Sequence, residues 1–148
     1  MGTRAVFFVG HPADLEAREW LGTIAWDGYP EGSIGDWLVG VPSEGEFRAG
    51  VKKIEDDRED FANPAVHSFP FPWMDDLYLT DYTYAWFGGK VWMTCFHIGL
   101  ISLDEFMAGD DEARAAYYES ADTLPTNIPA PAGGGTPGPD SIIIIQAR

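Results

Sequence analysis

The sequence predicts an α+β fold: a single domain with an antiparallel sheet of about four to five strands and two to three helices on one face. Three observations lead there. Short β-branched and aromatic runs alternate with turns rich in Gly and Pro. Two capping-box spacings, Ser43 with Glu46 and Ser102 with Glu105, mark helix starts, since each side chain there satisfies a free backbone donor. A chain of 148 residues, 45% hydrophobic and 14% aromatic, is long enough to bury one sizeable core.

The elements follow in order. Residues 4–9 are β-branched and aromatic and end at Gly10, a first strand. Residues 11–19 read as a loop or short helical turn. Trp20 to Trp26 reads as a second strand, with Trp20, Gly22, Ile24 and Trp26 on one face. Residues 27–33 are turn chemistry throughout. Ile34, Trp37 and Leu38 have helical spacing and suggest a short helix over 34–40. The Ser43 box opens a longer helix with Phe47, Gly50, Val51 and Ile54 on one face, at a cost of roughly 1 kcal/mol for each of Gly45 and Gly50. Residues 61–74 mix prolines with aromatics and read as an irregular, packed segment.

Residues 77–98 read as a β-hairpin turning at Gly88-Gly89, a pair that accepts positive φ. Tyr78, Thr80, Tyr82, Tyr84 and Trp86 share one face. Val91, Met93, Cys95 and His97 alternate with Trp92, Thr94, Phe96 and Ile98. The Ser102 box opens a helix near 103–108, and a further helical piece spans 111–120, burying Tyr117 or Tyr118. The domain is expected over 1–124. Residues 125–141 form a Pro/Gly-rich linker, with five prolines and four glycines in 125–139. Residues 142–148 carry four consecutive isoleucines and form a strand that docks on the domain or on a second protomer, which would make a homodimer.

Charge bounds the partners. There are 24 Asp plus Glu against 9 Lys plus Arg, a net charge of −15. Such a chain repels nucleic acid and anionic membranes and attracts basic surfaces. Residues 54–81 hold eight acids and one Arg; residues 104–122 hold seven acids and one Arg. Asp56, Asp57, Asp75, Asp76, Asp110, Asp111 and Glu112 head these two runs. They can present carboxylates as a duplex presents phosphates, at one charge per ~1.7 Å of axis. The plain reading of the same runs is solubilising surface. The single cysteine excludes an internal disulfide and, with no apolar run of membrane-spanning length and too short an apolar start for a signal peptide, points to the cytoplasm.

The opening Met1-Gly-Thr-Arg4, the first strand and Trp26-Asp-Gly-Tyr-Pro-Glu-Gly32 resemble a group of small bacteriophage proteins. Those chains also begin near Gly-Thr-Arg and carry an Asp-Gly-Tyr-Pro signature after an early strand. The likeness covers about the first 40 residues and the Asp81–Tyr84 strand. In this chain the longer 10–19 segment replaces the usual short link between the first two strands. The resemblance implies a phage accessory protein acting inside a bacterial host. It implies no catalytic residue.

Motifs that carry chemistry are sparse. In the Asp27–Gly32 turn, Asp27 reads as a backbone acceptor, with Gly28 and Pro30 shaping the chain. Its functional reading is a pocket of Trp26, Asp27, Tyr29 and Glu31 with the Tyr82/Tyr84 face. Cys95 and His97 share a strand face but stand roughly 6–7 Å apart, beyond hydrogen bonding, so Cys95 is expected buried and inert. His11 and His67 show no metal spacing, and adjacent carboxylate pairs do not converge on one ion. No catalytic residue, metal or cofactor is expected. The expectation is a non-enzymatic acidic phage accessory protein that binds a basic host protein, an anti-defence inhibitor acting as a nucleic-acid mimic. The alternative is a small-ligand-binding or hydrolase-like protein with its pocket at Trp26-Asp27-Gly28-Tyr29.

Overall fold

The computed structural model describes residues 3–12, 14, 16–67, 81–95 and 98–120. Five strands form one open sheet: β1 Ala5–Val9, β2 Glu19–Ile24, β3 Tyr82–Phe87, β4 Lys90–Cys95 and β5 Ile98–Ser102. Among the described residues four helices accompany it: α1 Ser33–Leu38, α2 Glu44–Asp56, α3 Leu103–Ala108 and α4 Asp111–Ser120. This is a single α+β domain. Asp75, Asp76, His97, residues 77–80, the 125–141 linker and the 142–148 strand lie outside the described residues.

The strand order is β2-β1-β3-β4-β5. It corrects the expectation of an all-antiparallel sheet. β1 pairs antiparallel with β2 but parallel with β3, from Ala5 opposite Tyr82 to Val9 opposite Trp86. The β3–β4 hairpin forms as expected, with Phe87 opposite Lys90 and positive φ at both Gly88 (60°) and Gly89 (83°).

The second strand also departs from its predicted facing. Opposite Phe7 and Phe8 the partner skips from Gly22 to Trp20, so Leu21 is an extra residue, a β-bulge. A one-residue offset moves a side chain to the opposite face. Leu21 and Ile24 therefore join the large core, and Trp20 goes to the other side with Phe8. The strand stops at Ile24, and Trp26 lies beyond it.

All four helices pack on one face. Ile34 and Leu38 of α1, Phe47, Val51 and Ile54 of α2, Leu103 and Phe106 of α3, and Tyr117 of α4 meet Phe7, Tyr84 and Met93 of the sheet. Helix α1 is a full packing member, which raises the helix number above the two to three expected. The serine half of both capping boxes forms. Ser43 Oγ accepts from Glu46 N–H at 3.2 Å, and Ser102 Oγ accepts from Glu105 N–H at 3.1 Å. The opposite face holds a smaller cluster of Val6, Phe8, Ala62, Ala85 and Phe87. Two cations lie over its aromatics: Arg18 over Phe8 at 4.4 Å and Lys90 over Trp92 at 5.3 Å. Cys95 is half-buried against the large core rather than fully buried.

The two helical glycines of α2 separate cleanly. A Cβ on Gly50 would stand 2.8 Å from the Trp37 carbonyl oxygen and 2.8 Å from Leu38 Cδ2, so α1 crosses α2 where only hydrogen fits. A Cβ on Gly45 would meet nothing nearer than Ser43 Oγ at 3.8 Å. Gly50→Ala should therefore destabilise by about 1–3 kcal/mol through overpacking. Gly45→Ala should stabilise by about 0.5–1 kcal/mol through lower backbone entropy of the unfolded chain. Urea denaturation of both variants checks the opposite signs; equal signs would refute the crossing argument.

Candidate functional site

The Asp27–Gly32 turn sits against β3, and hydrogen bonds explain why. Tyr84 is fully buried, stacked on Phe7 with ring centroids 5.6 Å apart. Its hydroxyl donates to the Gly28 carbonyl at 2.6 Å. Gly28 N–H in turn donates to Thr3 C=O at 2.9 Å. Tyr82 OH donates to Tyr118 OH at 2.9 Å, and Tyr118 OH reaches the Glu31 carboxylate at 3.3 Å and 3.4 Å. Burial, first of all, pushes the Tyr84 and Tyr82 phenols above their ordinary value. It pushes Tyr118 up to about 12, opposed by the hydrogen bond from Tyr82 and reinforced by the charge of Glu31. Tyr84, Tyr82 and Glu31 are thus brought together with the turn. The turn occupies the tyrosine face and leaves no open surface over Tyr84.

Trp26, Asp27 and Tyr29 take no part in these side-chain hydrogen bonds. Asp27 has φ 57°, the sole positive φ at a non-glycine among the described residues, and it swings the chain away from β2. Trp26 is 51% exposed and Tyr29 40% exposed. Trp26 borders a groove of about 370 Å³ with Ala25, Phe61, Ala62 and His67. A neighbouring depression of about 280 Å³ shares Trp26, Glu59 and Asp60 with it and adds Asp27, Asp57 and Arg58.

The groove is held by a pair of residues that sequence reasoning treated as part of an acid run. Arg58 and Asp60 form an ion pair at 2.8 Å with side chains only 10% and 3% exposed. Asp60 Oδ2 accepts from Ala25 N–H at 2.9 Å and Trp26 N–H at 3.3 Å. Arg58 Nη2 donates to the Trp26 carbonyl. Burial alone would raise the Asp60 carboxyl. The Arg58 hydrogen bond and charge and the two backbone donors outweigh it and hold the carboxyl below its usual range. Next door, Thr23 and Ala62 exchange backbone hydrogen bonds of 3.0 Å and 2.9 Å, which fixes the loop along the outer edge of β2. The one sequence signal for this clamp is an Arg isolated among acids directly before Phe61-Ala62.

The carboxylates of the helical layer form the second candidate surface. The four helices carry ten Asp and Glu against four Lys and Arg. Nine of the ten are exposed; Glu55 is half-buried. Three of the four cations are engaged: Arg48 with Glu19 and Glu44, Lys52 with Asp56, and Arg114 with the carbonyls of Phe106 and Met107. Asp110, Asp111 and Glu112 stand at the start of α4. Asp110 is its cap, with Oδ1 accepting from Ala113 N–H at 2.8 Å. Asp56 closes α2 against Lys52, and Asp57 lies beyond it at the Trp26 groove. The two acid runs therefore do different things. One shapes a groove beside β2, and the other covers α3 and α4.

Among the described residues no three His, Cys, Asp or Glu side chains converge as a metal site requires. No helix among them is long and apolar enough to cross a membrane. No protein-family model matches the sequence, and comparison with curated proteins and with solved structures brings no match to either.

Proposed function

We propose that this chain is a non-enzymatic acidic accessory protein of a bacteriophage. In this reading it binds a basic, nucleic-acid-binding protein in the bacterial cytoplasm and competes there with nucleic acid, as an anti-defence inhibitor does. The observation that carries the reading is the helical layer, with ten carboxylates against four cations, on the sheet face opposite Arg18 and Lys90. Like charge held on one face of a rigid scaffold steers a basic cleft toward that face. A ligand-binding or hydrolase-like pocket using Tyr82 and Tyr84 is less well supported. Tyr84 is fully buried and its hydroxyl is engaged with Gly28.

The test is capture from nuclease-treated bacterial lysate on the immobilised chain. The expected prey is a basic nucleic-acid-binding protein, released by a short DNA duplex and by raising salt from ~50 to ~200 mM. Asp110→Asn, Asp111→Asn and Glu112→Gln together should weaken capture about three- to tenfold. Asn at 110 retains the cap, so α4 persists and the loss reports charge. Capture indifferent to duplex, salt and these substitutions would overturn the proposal.

A further inference from the structure

Trp is enriched among the side chains that carry binding energy at interfaces, so one left exposed on a fixed backbone beside an apolar groove is suited to anchor a partner. Trp26 is such a side chain. It is 51% exposed, while its backbone N–H is held by Asp60 and its backbone carbonyl by Arg58. Fixing the backbone beforehand removes part of the ordering cost of binding. The groove beside the indole has apolar walls of Ala25, Phe61 and Ala62, with Glu59, Asp60 and His67 also lining it. Its rim is acidic: Glu59 lines the groove itself, and Asp27 and Asp57 line the depression that adjoins it through Trp26, Glu59 and Asp60. None of Asp27, Asp57 and Glu59 has an ion pair among the described residues. Arg58, which lines the adjoining depression, is already committed to Asp60 and to the Trp26 carbonyl.

We infer that this groove receives an arginine side chain of a basic protein partner, its guanidinium stacked on the Trp26 indole and its N–H groups turned to the rim carboxylates. The chemistry selects that occupant. An anion is repelled by three carboxylates. A purely apolar group would strip water from them and return no hydrogen bond. A planar guanidinium is weakly hydrated, stacks on an aromatic face and presents a fork that carboxylates accept; the ammonium of lysine is compact and holds its water. The inference rests on the reading of the chain as a binder of basic proteins, and it puts the anchor at the loops beside β2 rather than on α3 and α4.

The experiment uses the full chain, nitrogen-15 labelled, and a capped peptide with two arginines between glycines. The Trp26 indole Nε1–H resonance, assigned by its loss in Trp26→Phe, should move saturably with the peptide. The lysine counterpart should bind several-fold more weakly. Trp26→Ala should lower arginine-peptide affinity about tenfold. Asp57→Asn with Glu59→Gln, which leaves the indole in place, should lower it as well. A Trp26 resonance that does not move, or affinity unchanged in Trp26→Ala and in the rim variant, would overturn the inference. The α3–α4 charge variant separates the two readings: it should still bind the peptide while its capture of the host protein weakens. Peptide failure with capture intact overturns the groove alone. Peptide binding at Trp26 with no basic protein captured overturns the wider reading alone.

Discussion

Arg58→Met should lower folding stability by about 3–5 kcal/mol, the usual cost of leaving one member of a buried ion pair uncompensated. Asp60 is the member left behind. Its side chain is 3% exposed, and it would keep only the N–H groups of Ala25 and Trp26 as partners. The pH dependence should change sign. In the native protein the Asp60 carboxyl is held low, so its contribution is present above the ordinary carboxylate value of 3.8 and is lost as pH falls through the lower folded value. In Arg58→Met the burial effect dominates and the carboxyl rises. That contribution is then favourable at acid pH and is lost as pH climbs. Adding Asp60→Asn to Arg58→Met should recover part of the stability, because no charge remains buried while an acceptor for Ala25 N–H does. Urea denaturation at several pH values reads all three proteins. A loss under about 1 kcal/mol in the single variant would place the pair among ordinary surface ion pairs.

Tyr84→Ala should cost about 3–5 kcal/mol, as large aromatic truncations in cores do. Tyr84 is fully buried, stacked on Phe7, and joins the sheet to the Asp27–Gly32 turn through Gly28. Tyr84→Phe separates the two roles. It keeps the ring and removes only the hydroxyl, so it should cost about 1–3 kcal/mol, the penalty for an acceptor left unsatisfied. Alkaline pH gives a second reading. The phenols of Tyr82, Tyr84 and Tyr118 are all raised above their ordinary value of 10.0, Tyr118 to about 12. The unfolded chain therefore ionises first. The stability these groups contribute is fully present below the ordinary value and is lost as pH rises from there toward 12 and beyond. Tyrosinate absorbance followed through denaturation from neutral to alkaline pH should show it, with a shallower decline in Tyr84→Phe. An equal decline in both proteins would mean that Tyr84 is not the group that resists ionisation.

Local chemistry was legible in the sequence, and long-range pairing was not. The Ser43 and Ser102 caps, the Gly88-Gly89 turn and the alternation of Val91, Met93 and Cys95 act over a few residues, and each took its expected form. The parallel pairing of β1 with β3 joins segments far apart in sequence, and neither strand carries a mark of its partner's direction. The bulge at Leu21 arises from pairing, so alternation alone put Trp20 on the wrong face. The Arg58–Asp60 clamp was hidden for another reason. Within Glu55-Asp-Asp-Arg-Glu-Asp60 the buried acid and the exposed ones are chemically alike, and only the fold sorts them.

The interior position of β1 has a consequence for how the chain is made. β1 leaves the ribosome before β2 and β3, and it pairs with β2 on one side and β3 on the other. A nascent β1–β2 hairpin offers Phe7 on one face and Phe8 on the other and leaves one backbone edge open until residues 82–87 arrive. Closing so long a loop before its contacts repay it slows folding and prolongs exposure of an edge that can template other strands. Synthesis of this protein therefore passes through an obligatory vulnerable interval, which ends only when the tyrosine-bearing strand slides in beside the first.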